Sequence, residues 1–379
     1  MRPVYLHGRS LASALGANLP QALASIAAGG KAPLRVSLPG GTDWPYFAIE
    51  HSDEHPEADW RKRAQQLIST AFQEAGITGN RDAPLFVASS SLDIGAIETE
   101  LPCREDHFGF AEHIAGWLDW TGPVYLVSSA CTSSLQAILS ASKLISSGSV
   151  NDAVVLGVEL ANQYSVSGFA AMQLLTSSKP KPLGLNRDGI ALGEAVAVLH
   201  LSSRPARWRL CGGSNIVDGR DPTGAISQTV TKMCEHALAA SGLKSSDIGL
   251  IKLQAAGSPA NDLNELTGLA AAFAPLPPLV TFKAAIGHTL GASGAAEIAL
   301  LTACLEADVW PHPDYPLDPD LRAGLAYARP GSVRYVLANI LGFGGGHTAV
   351  ILEDTKETRI KSSVRPEPVE GLLQQSDCV

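Results

Sequence analysis

The chain repeats one arrangement in its two halves. An apolar strand leads through a tight turn into a helix of small residues, first as SSACTSSLQA around Cys131 and again as AAIGHTLGASGA around His288. Repetition of such a strand–turn–helix unit predicts an α/β fold built by internal duplication. The first unit, residues 124–148, reads as a buried strand over 124–128 with Cys131 at its junction with a helix. Leu135, Ile138, Leu139 and Ile145 recur at helical spacing. Thr132, Ser133 and Ser134 suit a helix start, and Gly148 suits the position just past a helix end.

A cysteine at that junction has a chemical consequence. The first turn of a helix presents unpaired N–H groups and a partial positive charge. Both favour thiolate over thiol, which makes the sulfur a nucleophile near neutral pH. The plainer alternative is a small buried hydrophobe, as most free cysteines are.

Composition narrows the field. The 379 residues suffice for a large core, in two domains or one fused pair. Hydrophobic residues make up 45% and charged ones 17%, with 36 glycines, the balance of an α/β enzyme with much buried parallel sheet. A net charge of −9 argues against a nucleic-acid surface. The six cysteines form no CxxC pair and no signal peptide precedes them, which points to a reducing cytoplasm. No apolar run approaches the roughly 18–20 residues of a membrane span. The ten histidines are scattered without ligand-like pairing, so no metal is expected.

In order, the pattern predicts a strand over 3–8, a helix over 10–30, and short strands or a loop over 34–50. An amphipathic helix over 57–76 places Trp60, Ala64, Leu67, Ile68 and Phe72 on one face. Strands follow at 83–91, 124–128, 152–160 and 195–201, with helices at 106–120 and 169–175. The second half supplies strand material at 208–219, 247–257, 277–288, 333–345 and 347–354, and helices at 227–243, 264–273 and 290–307. Residues 355–379 lose periodicity and gain proline and charge, the marks of a disordered tail that includes Cys378.

Four further clusters carry chemistry-bearing residues. Residues 283–297, KAAIGHTLGASGAAE, set His288 between a strand and a glycine-rich helix start, flanked by Lys283 and Glu297. A lone histidine is more often structural than catalytic. Residues 342–346, GFGGG, form a turn whose N–H groups suit an oxyanion, or a plain hairpin. Residues 186–195, NRDGIALGEA, equally fit a turn into an edge strand. In 254–265, QAAGSPANDLNE, Asn261 or Asp262 is expected to cap a helix.

Together these motifs resemble the β-ketoacyl-acyl-carrier-protein synthases of the thiolase-like superfamily, over almost the whole chain, to about residue 354. The resemblance implies an α/β thiolase-like fold of two similar halves in α-β-α-β-α layers, with halves at 1–205 and 206–354 and a tail at 355–379. SSACTSSLQAI looks like the family's nucleophile motif, which puts Cys131 in the place of the acylated cysteine. KAAIGHTLGASGAAE matches the Lys-x4-His motif at full spacing, so Lys283 and His288 carry over, and Glu297 matches the glutamate that pairs with the lysine. NRDGIALGEA is similar to the family's RDGF-x-x-GEG segment. NILGFGGGH looks like the C-terminal gating loop, with Phe343 in the place of the phenylalanine that controls access to the cysteine. By the same resemblance, that loop and the Cys131 N–H form the oxyanion hole.

One motif departs. Where the family has Ala-His-Gly-Thr-x-Thr, this chain has Ala255-Ala256-Gly257-Ser258 and runs directly to Pro259. Ala256 stands where the family has a histidine. The second threonine, which contacts the pantetheine arm, is missing, and Ser258 keeps one hydroxyl for that contact. The resemblance therefore implies a protein that handles carrier-bound acyl thioesters in fatty acid or polyketide biosynthesis. It would be acylable at Cys131 but short of one of two histidine donors to the enolate.

Three outcomes stay open: a subunit that needs a partner for condensation, a non-catalytic chain-length-factor partner of an active ketosynthase, or a fully active condensing enzyme. In the last, another side chain such as His347 would replace the lost donor. A thiolase-like enzyme acting on acyl-CoA is a minor fourth. Chain-length factors usually lose the cysteine that this chain keeps. The short chain and compact loops are similar to condensing-type subunits of aryl polyene and related polyketide pathways. The implied partners are an acyl carrier protein, which brings its own phosphopantetheine so that no separate cofactor is needed, and a second subunit, identical or a second ketosynthase.

Overall fold

Ten strands join in the main sheet, and each half of the chain supplies five. The first half gives β1 (Val4–Ser13), β2 (Leu85–Ala88), β3 (Val124–Val127), β4 (Asp152–Glu159) and β5 (Ala195–Ser202). The second gives β6 (Trp208–Val217), β7 (Ile248–Lys252), β8 (Leu279–Val280), β9 (Tyr335–Gly342) and β10 (Gly346–Asp354). This computed structural model describes residues 2–38, 41–50, 60–79, 81–99 and 109–357. The expected tail beyond 357, with Cys378, lies outside the described residues.

The strand order is β8-β7-β9-β10-β6-β1-β5-β4-β2-β3. Read inward from each edge, both halves follow one topology: third, second, fourth, fifth, first. Pairing direction repeats as well. β3–β2–β4 and β8–β7–β9 are parallel, whereas β4–β5–β1 and β9–β10–β6 are antiparallel. The halves meet where β1 pairs with β6, Val4 opposite Leu210. The duplication suggested by two similar sequence stretches is therefore a duplication of the fold.

Helices complete five layers in the α-β-α-β-α order. α1 (Trp60–Glu74) and α2 (Gly109–Trp117) lie against the first five strands, and α4 (Ser227–Ser241) and α5 (Pro259–Ala272) form the corresponding outer layer on the second half. α3 (Ser133–Ser146) and α6 (Ser293–Ala307) each touch strands of both halves and form the middle layer. α6 is buried from Ser293 to Leu305 on every side, as an all-round apolar helix must be. Small residues let the two middle helices approach: a Cβ on Gly294 would overlap the Leu135 side chain. The buried strands are nearly continuous in apolar residues, DAVVLGVE in β4, because both faces are covered.

Several element boundaries differ from expectation. Residues 10–13 belong to β1 and not to a helix, because Leu11 and its neighbours pair antiparallel with β5. The helix that follows is Leu19–Ala27, capped by the Asn18 side chain, which accepts from the Gln21 N–H at 3.0 Å. The helix expected at 169–175 is Gln163–Ala171, and Asn162 caps it. α5 starts at Pro259 with Ser258 as its N-cap residue, so neither Asn261 nor Asp262 caps it. Their side chains bind neighbouring loops instead: Asn261 accepts from the Ala225 N–H, and Asp262 from Leu183, Ala256 and Gly257. Residues 290–307 do reach the length and apolarity of a membrane span, against the expectation that no run would, but 89% of that window is buried in the middle layer.

Candidate active site

Cys131 sits on a sharp elbow between β3 and α3. The preceding residue, Ala130, has φ +50, a conformation that non-glycine residues seldom adopt. Ser133 holds the elbow: its hydroxyl accepts from the Ser129 N–H at 2.9 Å and donates to the Ala130 carbonyl at 2.6 Å. Ser134, one residue on, accepts from the Ala295 N–H at 3.1 Å and ties the two middle helices together. The serines read as helix starters thus brace the turn and the helix pair.

The second unit delivers His288 to the same point. His288 Nε2 lies 3.0 Å from Cys131 Sγ. The NRDGIALGEA segment positions it, since the Ala191 carbonyl accepts from the His288 N–H at 2.8 Å and the Gly193 N–H donates to the His288 carbonyl at 3.1 Å. Behind the ring, Lys283 Nζ is 3.2 Å from Nδ1 and donates to Ser293 Oγ at 3.0 Å. An ammonium group only donates, so Nδ1 accepts and the ring proton sits on Nε2, facing the sulfur.

Glu297 pairs with Lys283, and it also takes a second cation. Lys252 Nζ donates to Glu297 Oε2 at 2.8 Å and to the Asn339 carbonyl at 2.7 Å. All three side chains are buried, and burial lowers the Lys252 ammonium from the ordinary lysine range with Glu297 opposing it. The sequence reading passed over Lys252, although a lysine inside the apolar run IGLIKL is a signal that something buried must pair with it.

Phe343 follows β9. Its ring stacks on Phe169 with centroids 5.3 Å apart, and both rings line a cleft together with Cys131, His288, Ala256 and Ser258. Gly345 fixes the loop behind it, with φ +77 and no room for a Cβ against the Asp218 carbonyl. The backbone N–H groups of Phe343 and of Cys131 itself lie near the sulfur and favour its anion. An oxyanion hole needs donors aimed at the carbonyl oxygen that a thioester would place beside the sulfur, and these two N–H groups flank that position. Ser258 makes no capping bond with its hydroxyl. His347 does not line the cleft; it is buried with Nδ1 2.8 Å from the Gly345 carbonyl oxygen, which suits a loop histidine and not a replacement donor.

The electrostatics correct one expectation. Burial pushes the Cys131 thiol up to about 11, and the nearby Lys283 charge and the Phe343 N–H only partly offset it. The resting group at neutral pH is therefore a thiol. Helix position alone predicts a thiolate, but it takes no account of desolvation. Burial, with the charges of Lys283 and Lys252, holds His288 well below the usual imidazole range, so its ring is neutral. Burial also lifts two carboxyls that line the cleft, Asp262 to about 6 and Glu265 to about 7.

Comparison with known proteins identifies the family and the fold. Residues 66–206 match the beta-ketoacyl synthase N-terminal domain and residues 213–313 the beta-ketoacyl synthase C-terminal domain. The chain belongs to the β-ketoacyl synthase family. It is 32% identical to 3-oxoacyl-[acyl-carrier-protein] synthase 2 of Mycobacterium leprae over 59% of this chain and 58% of that protein. It is 30% identical to the chloroplastic 3-oxoacyl-[acyl-carrier-protein] synthase II of Arabidopsis thaliana over 63% of this chain and 49% of that protein. The chain thus spans about half to three-fifths of these relatives' lengths. Among solved structures it superposes on a chain from the ketosynthase ApeO in complex with its chain length factor ApeC, from Xenorhabdus doucetiae. That match has a TM-score of 0.80 and 23% identity, and covers 93% of this chain and 98% of that one. It carries the thiolase-like fold.

Proposed function

We propose that this chain accepts acyl groups from carrier-protein thioesters onto Cys131 and condenses them only weakly unless a partner subunit completes the site. The observation that carries the reading is Cys131 Sγ 3.0 Å from His288 Nε2 in a cleft where, among the described residues, His288 is the one imidazole.

In the first half-reaction Cys131 sulfur attacks the thioester carbonyl. The N–H groups of Cys131 and Phe343 hold the oxyanion, and the pantetheine sulfur leaves and takes up the thiol proton. Phosphopantetheine arrives on the carrier protein, with Ser258 offering a hydroxyl to it and Phe343 gating its entry. In the second half-reaction a malonyl thioester loses CO2, the electron pair of the broken C–C bond forms an enolate, and its carbon attacks the acyl-cysteine carbonyl, breaking the C–S bond so that Cys131 leaves as thiolate and takes up a proton to regain its resting thiol. His288 donates Nε2–H to the enolate oxygen, and Lys283 and Glu297 hold that ring. Ala256 offers no second donor. Losing one preorganised donor costs about 2.7–4 kcal/mol, or about 10²–10³ in rate.

A partner subunit is favoured because the chain keeps its nucleophile while lacking part of the condensing apparatus. The ApeO structure, solved with a chain length factor, gives an example of a ketosynthase working beside such a subunit. Copurification from the native host tests this. The expected result is a stable heterodimer with a second, motif-complete synthase, and a self-sufficient homodimer with full condensation would refute it.

A further inference from the structure

β7 and the segment after it alternate faces. Ile251, Leu253 and Ala255 belong to the core of the outer layer on the second half, whereas Leu250 and Ala256 belong to the core of the middle layer. Lys252 and Gln254 share the parity of Ala256 and so face the catalytic side. Lys252 confirms this by reaching Glu297 on α6, and Gln254 by lining the cleft, where its Oε1 is buried with no hydrogen-bond partner among the described residues.

We propose that Lys252 is a positioning residue of this site: it takes one oxygen of Glu297, leaves Lys283 the other, and so puts a net positive charge behind His288 where the chain lacks an imidazole at 256. The inference deepens the proposed function and rests on it for its biological meaning. One carboxylate is shared by two ammonium groups, all of them buried. Lys283 points its ammonium at His288 Nδ1, and His288 meets Cys131. The excess charge favours every anion formed at the sulfur or on the thioester oxygen, and it disfavours a second proton on His288. Among the described residues, the other charged groups facing this network are Glu159, which opposes the thiolate, and Glu265, which is held by the Asn339 side chain at 2.7 Å and whose charge favours the Lys252 ammonium. Neither touches Glu297.

The test compares the full chain with Lys252→Met and Lys252→Arg, using iodoacetamide as probe and peptide mass mapping of Cys131 from about pH 6 to about pH 11. In the unaltered chain the alkylation rate rises about tenfold per pH unit toward a midpoint of about 11. Burial lowers the Lys252 ammonium below the ordinary lysine range, so its charge is read well below the thiol midpoint: at a fixed pH of about 7 to 8, Lys252→Met slows alkylation about tenfold. Lys252→Arg keeps the charge and rescues most of the rate. A Lys252→Met protein that melts normally and alkylates with an unmoved profile overturns the proposal. Should Lys252→Met fail to fold, Lys252→Gln, which removes the charge and keeps a donor for the Asn339 carbonyl, takes its place with the same two outcomes. The probe needs no acyl donor. If carrier-bound acyl groups never reach Cys131 while the Lys252 shift is present, the proposed function falls and the role of Lys252 stands.

Discussion

Ala256→His raises condensation by about 10²–10³ while leaving the acylation of Cys131 nearly unchanged. The Ala256 N–H is tied to Asp262 Oδ1 at 3.1 Å, and the next N–H is bound to the same carboxylate, so the backbone at 256 is fixed. Ala256 lines the same cleft as Cys131 and His288, and a new imidazole there joins His288 at the enolate. The expected gain is the value of one preorganised donor, about 2.7–4 kcal/mol in the condensing step. Added bulk in a packed wall costs about 1–3 kcal/mol of stability, which a domain with about 5–15 kcal/mol in hand tolerates. The check is product formation from malonyl-carrier protein at matched levels of acyl adduct. A variant that acylates normally and condenses no faster would mean that the missing donor is not what limits this chain.

Cys131→Ser removes the acyl adduct, with a fall in transfer of more than about 10³. Serine replaces one sulfur by a smaller oxygen at a buried position, a change of a single atom that the fold is expected to tolerate. The loss is chemical. A hydroxyl there needs a general base, and His288 is a poor one because Lys283 occupies Nδ1 and the proton already sits on Nε2. Intact-mass analysis after exposure to acyl-carrier protein reads the effect directly, with the melting temperature as the control for folding. An adduct of undiminished yield in the serine variant would place the acyl group on another residue.

The contrast between what was and was not legible in the sequence has a physical basis. The elbow around Cys131 and the Lys283–His288–Glu297 set could be read because each is encoded within a few residues of contiguous chain. The fold duplication was visible for the same reason. Lys252 was missed because its partners lie on α6 and β9, and only tertiary packing brings them together. Residues 10–13 were misassigned because SLAS is neutral between helix and strand, and the choice is made by distant β5. The protonation state of Cys131 reversed for a related reason: a sequence shows a helix start but not how dry it is. Asp262 looked like a helix cap because its position in α5 suits one, yet Leu183 and the strand end before α5 claim its carboxylate.

The central claim is that one thioester is held between the Cys131 sulfur and the His288 ring, with a donor missing on the facing wall. The most direct measurement is intact mass of the purified chain given acyl-carrier protein and then malonyl-carrier protein, with released product quantified in parallel. The account predicts a stoichiometric acyl mass on Cys131 that largely persists after malonyl-carrier protein is added, with product forming slowly from the chain alone and rapidly only when a partner synthase is supplied. Absence of any adduct on Cys131, or rapid clearance of the adduct into product by the chain alone, would contradict it.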